Sequence, residues 1–101
     1  MTSQQNTPTD TLAPEHVFAA LSDPLRLRIV RRLAAEGRLG CSQIDHNLSL
    51  STVSHHCKVL REAGIVTSEA VGTQRVLVLR PEFARQFAGV LATIAELDKA
   101  K

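Results

Sequence analysis

The chain predicts a mainly α-helical domain with one small β-hairpin, in the order of four helices, two strands and a final helix. Three observations carry this. Residues 48–64, LSLSTVSHHCKVLREAG, describe a helix marked at both ends. Ser49 supplies a hydroxyl to cap the first turn, Leu48 stands where it can pack on Val53, and Gly64 can take the left-handed conformation that ends a helix of about four turns. After Gly64 the period changes from helical to alternating: residues 66–70 and 75–79 flank Val71-Gly72-Thr73-Gln74, a hairpin with glycine in its turn. Finally, Pro14, Pro24 and Pro81 each open an amphipathic stretch, at the position where a missing amide does least harm.

Each element then has its reason. Residues 1–13 carry Thr, Gln, Asn and Pro with almost nothing to bury and read as a flexible tail, leaving 14–98 as the domain. Residues 15–21 form a short helix with a narrow apolar edge of Val17, Phe18 and Leu21. Asp23 caps the next helix, 25–36, which turns Leu25, Ile29, Val30 and Leu33 inward and Arg26, Arg28, Arg31 and Arg32 outward before Gly37 stops it. A third short helix, 40–47, bears Ile44, and residues 47–49 join it to the helix that follows. Two short helices linked so tightly, the second polar on its outer face, are the pattern of a helix-turn-helix.

In that second helix Leu50, Val53, Cys57 and Leu60 repeat at three-and-four spacing and should be buried. Opposite them lie Ser51, Thr52, His55 and Lys58, with Ser54 on the flank. Short donors and acceptors crowded near a helix N-terminus suit the base edges of a DNA major groove. The same residues also make an ordinary solvated face, and the helix alone does not choose between the two. Val59 falls on the outer side without an assigned partner. A hairpin after such a helix is a wing, its tip carrying Thr73, Gln74 and Arg75 towards phosphates or a minor groove. The last helix, 82–97, has Phe83, Phe87, Val90, Leu91, Ile94 and Leu97 along it. That is more apolar surface than a small core needs, so part of it, with Val17 and Phe18, is expected to pack on a second copy of the chain.

Composition narrows the function classes. At 101 residues and 44% hydrophobic the chain fits one domain, and its net charge of +2 makes it no polycation, so any nucleic-acid binding must come from local placement. The absence of Trp and Tyr argues against single-strand binding, which uses aromatic platforms. No apolar run approaches 18 residues and the polar N-terminus lacks a leader pattern; a cytoplasmic protein without a membrane partner is expected, its Cys41 and Cys57 reduced. For an enzyme there is no Gly-rich phosphate loop, no paired carboxylate and no nucleophile with a base. Ser54 and His55 are no dyad, because helix neighbours point 100° apart.

Residues 20–30, ALSDPLRLRIV, and 50–66, LSTVSHHCKVLREAGIV, with a hairpin carrying Gly72 and Arg75 at matching spacing, resemble the ArsR/SmtB family of bacterial winged-helix repressors over about residues 15–97. The resemblance implies a winged helix-turn-helix homodimer that binds a palindromic double-stranded operator through the helix 50–63 and the wing 66–79. It implies base reading by Ser51, Thr52, Ser54 and His55, further contacts from Lys58 and Arg75, and a dimer interface on the first and last helices: Val17, Phe18, Phe87, Val90, Leu91 and Ile94. His56 reads as structural.

The family's metal sites do not match. Where one uses two cysteines a residue apart, this chain has Gly40-Cys41-Ser42-Gln43, and residues 81–101 contain neither His nor Cys. No metal or other cofactor is expected, although Cys41, Asp45 and His46 supply a fragment of a site. Cys41 near a helix start, and Cys57 in the reading helix, leave a redox-responsive or metal-responsive repressor as an alternative. A winged helix serving protein interaction instead of DNA binding is the third. The inducer is not legible.

Overall fold

The computed structural model describes residues 12–44 and 47–97. Its elements are α1 (Pro14–Ala20), α2 (Pro24–Glu36), β1 (Leu39–Gly40), a 3-10 turn at Cys41–Gln43, α3 (Leu50–Glu62), β2 (Val66–Val71), β3 (Gln74–Leu79), α4 (Pro81–Gln86) and α5 (Ala88–Leu97). No helix among the described residues is long and apolar enough to cross a membrane.

The local signals act where they stand in the sequence. Asp23 is extended and its Oδ2 accepts from the amides of Leu25 at 2.9 Å and Arg26 at 3.1 Å, with Pro24 at the first helical position. Gly37, at φ +84°, closes α2 by donating to Leu33 O. Ser49 Oγ accepts from the Thr52 amide and starts α3. The far end of α3 is a complete Schellman turn: Gly64, at φ +84°, donates to Arg61 O, and Ile65 donates to Leu60 O. Leu60 and Ile65 are both fully buried, which is the apolar contact that goes with this motif.

β2 and β3 form a regular antiparallel hairpin from Val66 opposite Leu79 to Val71 opposite Gln74, closed by Gly72 at φ +63° and Thr73. β1 adds to the other side of β3, pairing Leu39 with Leu77 and Gly40 with Val76. The sheet and helices enclose one core, with Val17, Ile29, Val30, Leu33, Leu39, Leu60, Leu77 and Phe83 among its fully buried side chains.

Several expectations are corrected. Where a helix over 40–47 was expected, Gly40 is extended and paired in β1, and the Gln43 side chain accepts its amide at 2.9 Å; among the described residues only the 3-10 turn follows. Asp45 and His46 lie outside the described residues. Leu50 is not in the buried stripe: it is 73% exposed, because the core ends below Val53 and the first residue of the helix projects past it. The last helix is two, broken at Phe87 (φ −118°, ψ 38°). Val17 and Ile94, expected in a dimer interface, are buried inside the monomer.

Leu12, read as part of the tail, belongs to the core; its amide donates to Gln86 Oε1 and its side chain covers Gly64. The φ of Gly64 is one that side-chain-bearing residues rarely adopt, and a Cβ there, 2.6 Å from Leu12 Cδ2, would also push the Leu12 side chain aside. Arg80 donates its amide to Ile65 O and fastens the start of α4 to the same place.

Candidate nucleic-acid interface

The helix α3 presents the predicted side chains together. Ser51, Thr52, Ser54, His55 and Lys58 are all exposed on its outer side. The hydroxyls are prearranged: Ser49 Oγ donates to Thr52 Oγ1 at 2.9 Å and stands 3.2 Å from Ser51 Oγ. His55 lies free of the core. Lys58 Nζ is 3.9 Å from Glu62 Oε2, a solvent-exposed pair one helical turn apart that leaves the ammonium free to exchange partners.

His56 is different. It is half-buried, and Arg26 Nη1 donates to its Nδ1 at 3.1 Å, since a guanidinium can only donate. Asp23 Oδ2 lies 3.8 Å from the same nitrogen. Arg26 in turn gives Nε–H to Ala20 O at 2.6 Å, so one arginine ties the end of α1 to the side of α3. This cluster also acts on Asp23. Burial works against its carboxylate, but the amides of Arg26 and Leu25, the neighbouring imidazole of His56 and the charge of Arg26 outweigh it and hold the pKa below the usual 3.8. Of the four arginines expected on a solvated outer face, Arg26 is therefore turned inward, and Arg32 bridges Glu36 and Gln43 O. Val59, unexplained by sequence, packs on the core edge in a shallow depression shared with His16 and Ala19 of α1.

The wing comes round to the same side. Thr73, Gln74 and Arg75 are exposed at its tip, and Arg75 donates to Ser68 Oγ at 3.1 Å across the hairpin. Between α3, the 3-10 turn and β3 lies an open cleft of about 550 Å³. Ser54 and Lys58 line it from the helix, Gln74 and Arg75 from the wing, and Arg61 from the last turn of α3; among the described residues no carboxylate lines it, the nearest to Lys58 being Glu62 on the outer side. Three cations on one concave surface form a local positive patch that the net charge of +2 does not reveal. Arg61 was absent from the sequence-derived site, although its spacing of three and seven residues from Lys58 and Ser54 puts it on their side of the helix.

At the base of the cleft are the two cysteines, both free thiols with Sγ atoms 3.9 Å apart. Burial first, then the charge and hydrogen bond of Cys41, push the Cys57 thiol up to about 12, against a small opposing pull from Arg61. Among the described residues no three His, Cys, Asp or Glu side chains are grouped to hold a metal ion.

A capped helix with a hydroxyl-rich outer face, followed directly by a two-stranded wing that shares a cationic cleft with it, defines a winged helix-turn-helix of the DNA-binding type. Residues 21–69 match a family model described as a helix-turn-helix domain. The chain is 36% identical over 89 residues to the HTH-type transcriptional regulator Rv2034 of Mycobacterium tuberculosis, covering 86% of this chain and 77% of the relative. It is 32% identical over 92 residues to the arsenic resistance transcriptional regulator ArsR1 of Pseudomonas putida, covering 89% and 72%. Among solved structures it resembles a homodimeric winged helix-turn-helix DNA-binding domain of Mycobacterium bovis, a possible ArsR-family regulator, at TM-score 0.66 and 25% identity, covering 87% and 83%. The chain belongs to the ArsR family of winged helix-turn-helix transcriptional regulators.

Proposed function

We propose that this regulator is a homodimeric repressor that binds a palindromic operator and blocks transcription by occupying it. The carrying observation is the cleft lined by Lys58, Arg61 and Arg75 that joins the face of α3 to the wing tip. In this reading Ser51, Thr52, Ser54 and His55 meet base edges, while Lys58, Arg61 and Arg75 meet phosphates on either side. The dimer rests on Phe18, Phe87, Val90 and Leu91. Phe18 is 52% exposed with its ring edge-on to Phe87 at 5.9 Å, and Val90 and Leu91 are half-buried beside the core, so the first and last helices share an apolar surface without a cover. A two-fold dimer reads an inverted repeat. The family's metal sites are not part of this proposal.

The test is a gel shift of the reduced protein on the DNA upstream of its own gene, with random duplex as competitor and a salt titration. A specific complex that weakens steeply as salt rises supports the reading, since several phosphates are then being neutralised. Equal affinity for upstream and random DNA overturns it. Light scattering that returns a monomer at working concentration overturns the dimer.

A further inference from the structure

Neither cysteine has a task in DNA reading, yet the fold brings them together from positions 41 and 57. Their sulfurs, 3.9 Å apart, are roughly 2 Å further than a disulfide requires. The two are not equivalent. Cys57 is 1% exposed on the inner side of α3, whereas Cys41 opens the 3-10 turn, half-buried, in the wall of the open cleft.

We propose that Cys41 and Cys57 form a dithiol modification site, oxidised to an intramolecular disulfide by a hydroperoxide entering the cleft, and that the bond lowers DNA affinity. The second half rests on the repressor reading above. In the first step Cys41, as thiolate, attacks a peroxide oxygen; the O–O bond breaks, an S–O bond forms, and water or an alcohol leaves after taking up a proton. In the second, Cys57 sulfur attacks Cys41 Sγ; the S–S bond forms, the S–O bond breaks, and the hydroxide leaves with the Cys57 proton as water. Two thiols lose two electrons and one peroxide gains them. The order follows from access, and it agrees with the high pKa of Cys57, which keeps its proton while Cys41 reacts.

The consequence for DNA binding is geometric. Cys57 follows Ser54 by one turn and adjoins Lys58, so drawing the sulfurs together pulls α3 against the turn at Cys41–Gln43 and displaces the residues that line the cleft with it.

The test uses the full chain, reduced and then treated with hydrogen peroxide. Intact mass and a non-reducing peptide map read the thiols, and fluorescence anisotropy reads binding to upstream DNA before oxidation, after it and after dithiothreitol. Expected are loss of two hydrogens in a monomeric chain, a Cys41–Cys57 linked peptide, and binding weaker by about tenfold or more, restored by reductant. Cys41→Ser and Cys57→Ser must each abolish the peroxide response of DNA binding. Cys41 driven to sulfinic acid with Cys57 still alkylatable, or chains linked to each other, overturns the site. A disulfide that leaves affinity unchanged overturns its regulatory half. If the reduced protein binds no specific DNA, the repressor reading fails, while the mass and peptide map still decide the disulfide.

Discussion

α3 and α5 each bury one side and show the other, and what they show is opposite in kind. The buried side of α3 is Val53, Cys57 and Leu60, and its free side is hydroxyls, an imidazole and an ammonium. α5 buries Ile94 and leaves Val90 and Leu91 half-covered. They are also held differently. Ser49 and Gly64 fix both ends of α3 by local hydrogen bonds, whereas α5 follows a break at Phe87 and stays in place through what it packs against. A polar face can thus be presented by chain chemistry close to it in sequence, but an apolar face waits for tertiary partners.

Substitutions can separate these two modes of support. The largest effect is expected at Phe83, fully buried and stacked on Phe87 at 5.7 Å: Phe83→Ala should cost about 3–5 kcal/mol in urea unfolding. A loss below about 1 kcal/mol would mean that α4 and α5 stay docked without it. Next, His55→Ala should lower discrimination between operator and random duplex by about 1–3 kcal/mol with an unchanged urea midpoint. Equal weakening on both DNAs would move His55 from base reading to backbone contact. Ser49→Ala should cost about 1 kcal/mol of stability, and Ser49→Asp should regain most of it, if α3 depends on its cap as described. An unchanged midpoint for the alanine variant would show that packing alone holds α3 and erase the contrast with α5.

The smallest effect concerns acid. Asp23 has a lowered pKa in the folded chain, so its ionised form favours folding above the ordinary carboxylate range, and that contribution is lost as pH falls through about 4 and below. Asp23→Asn keeps an oxygen for the cap but no charge. The stability gap between wild type and variant should therefore narrow from about pH 6 to about pH 3, measured by urea midpoints at each pH. A constant gap would assign the effect of Asp23 to hydrogen bonding alone.

What was legible in the sequence follows the same division. Caps, prolines and turn glycines act on residues within four positions of themselves, so α2, α3 and the hairpin were readable nearly to the residue, and so was the outward set from Ser51 to Lys58. What was missed depends on partners distant in the chain. β1 is two residues long, too short to show alternation, and exists because β3 offers it an edge. The break at Phe87 sits inside an apolar pattern that runs on through it, with neither Pro nor Gly at the break itself. Leu50 has the right spacing for the buried stripe, but the core does not extend to it. Arg26 looked like its three neighbours until His56 and Ala20 O gave it an inward partner, and the meeting of Cys41 with Cys57 has no sequence signal.

The crowding at Gly64 has a mechanical meaning. Leu12, Arg80 and the Schellman turn all fasten one end of α3, and the hydroxyls sit at the other, about 20 Å away along the axis. Any tilt of α3 about Gly64 would therefore act through a long arm. A tilt of about 5° there carries the far tip through nearly 2 Å, more than a hydrogen bond tolerates. In the proposed reading, small events at the base of α3 are thus magnified at the end that would meet base pairs, and a regulator built this way would respond to changes too slight to alter its fold.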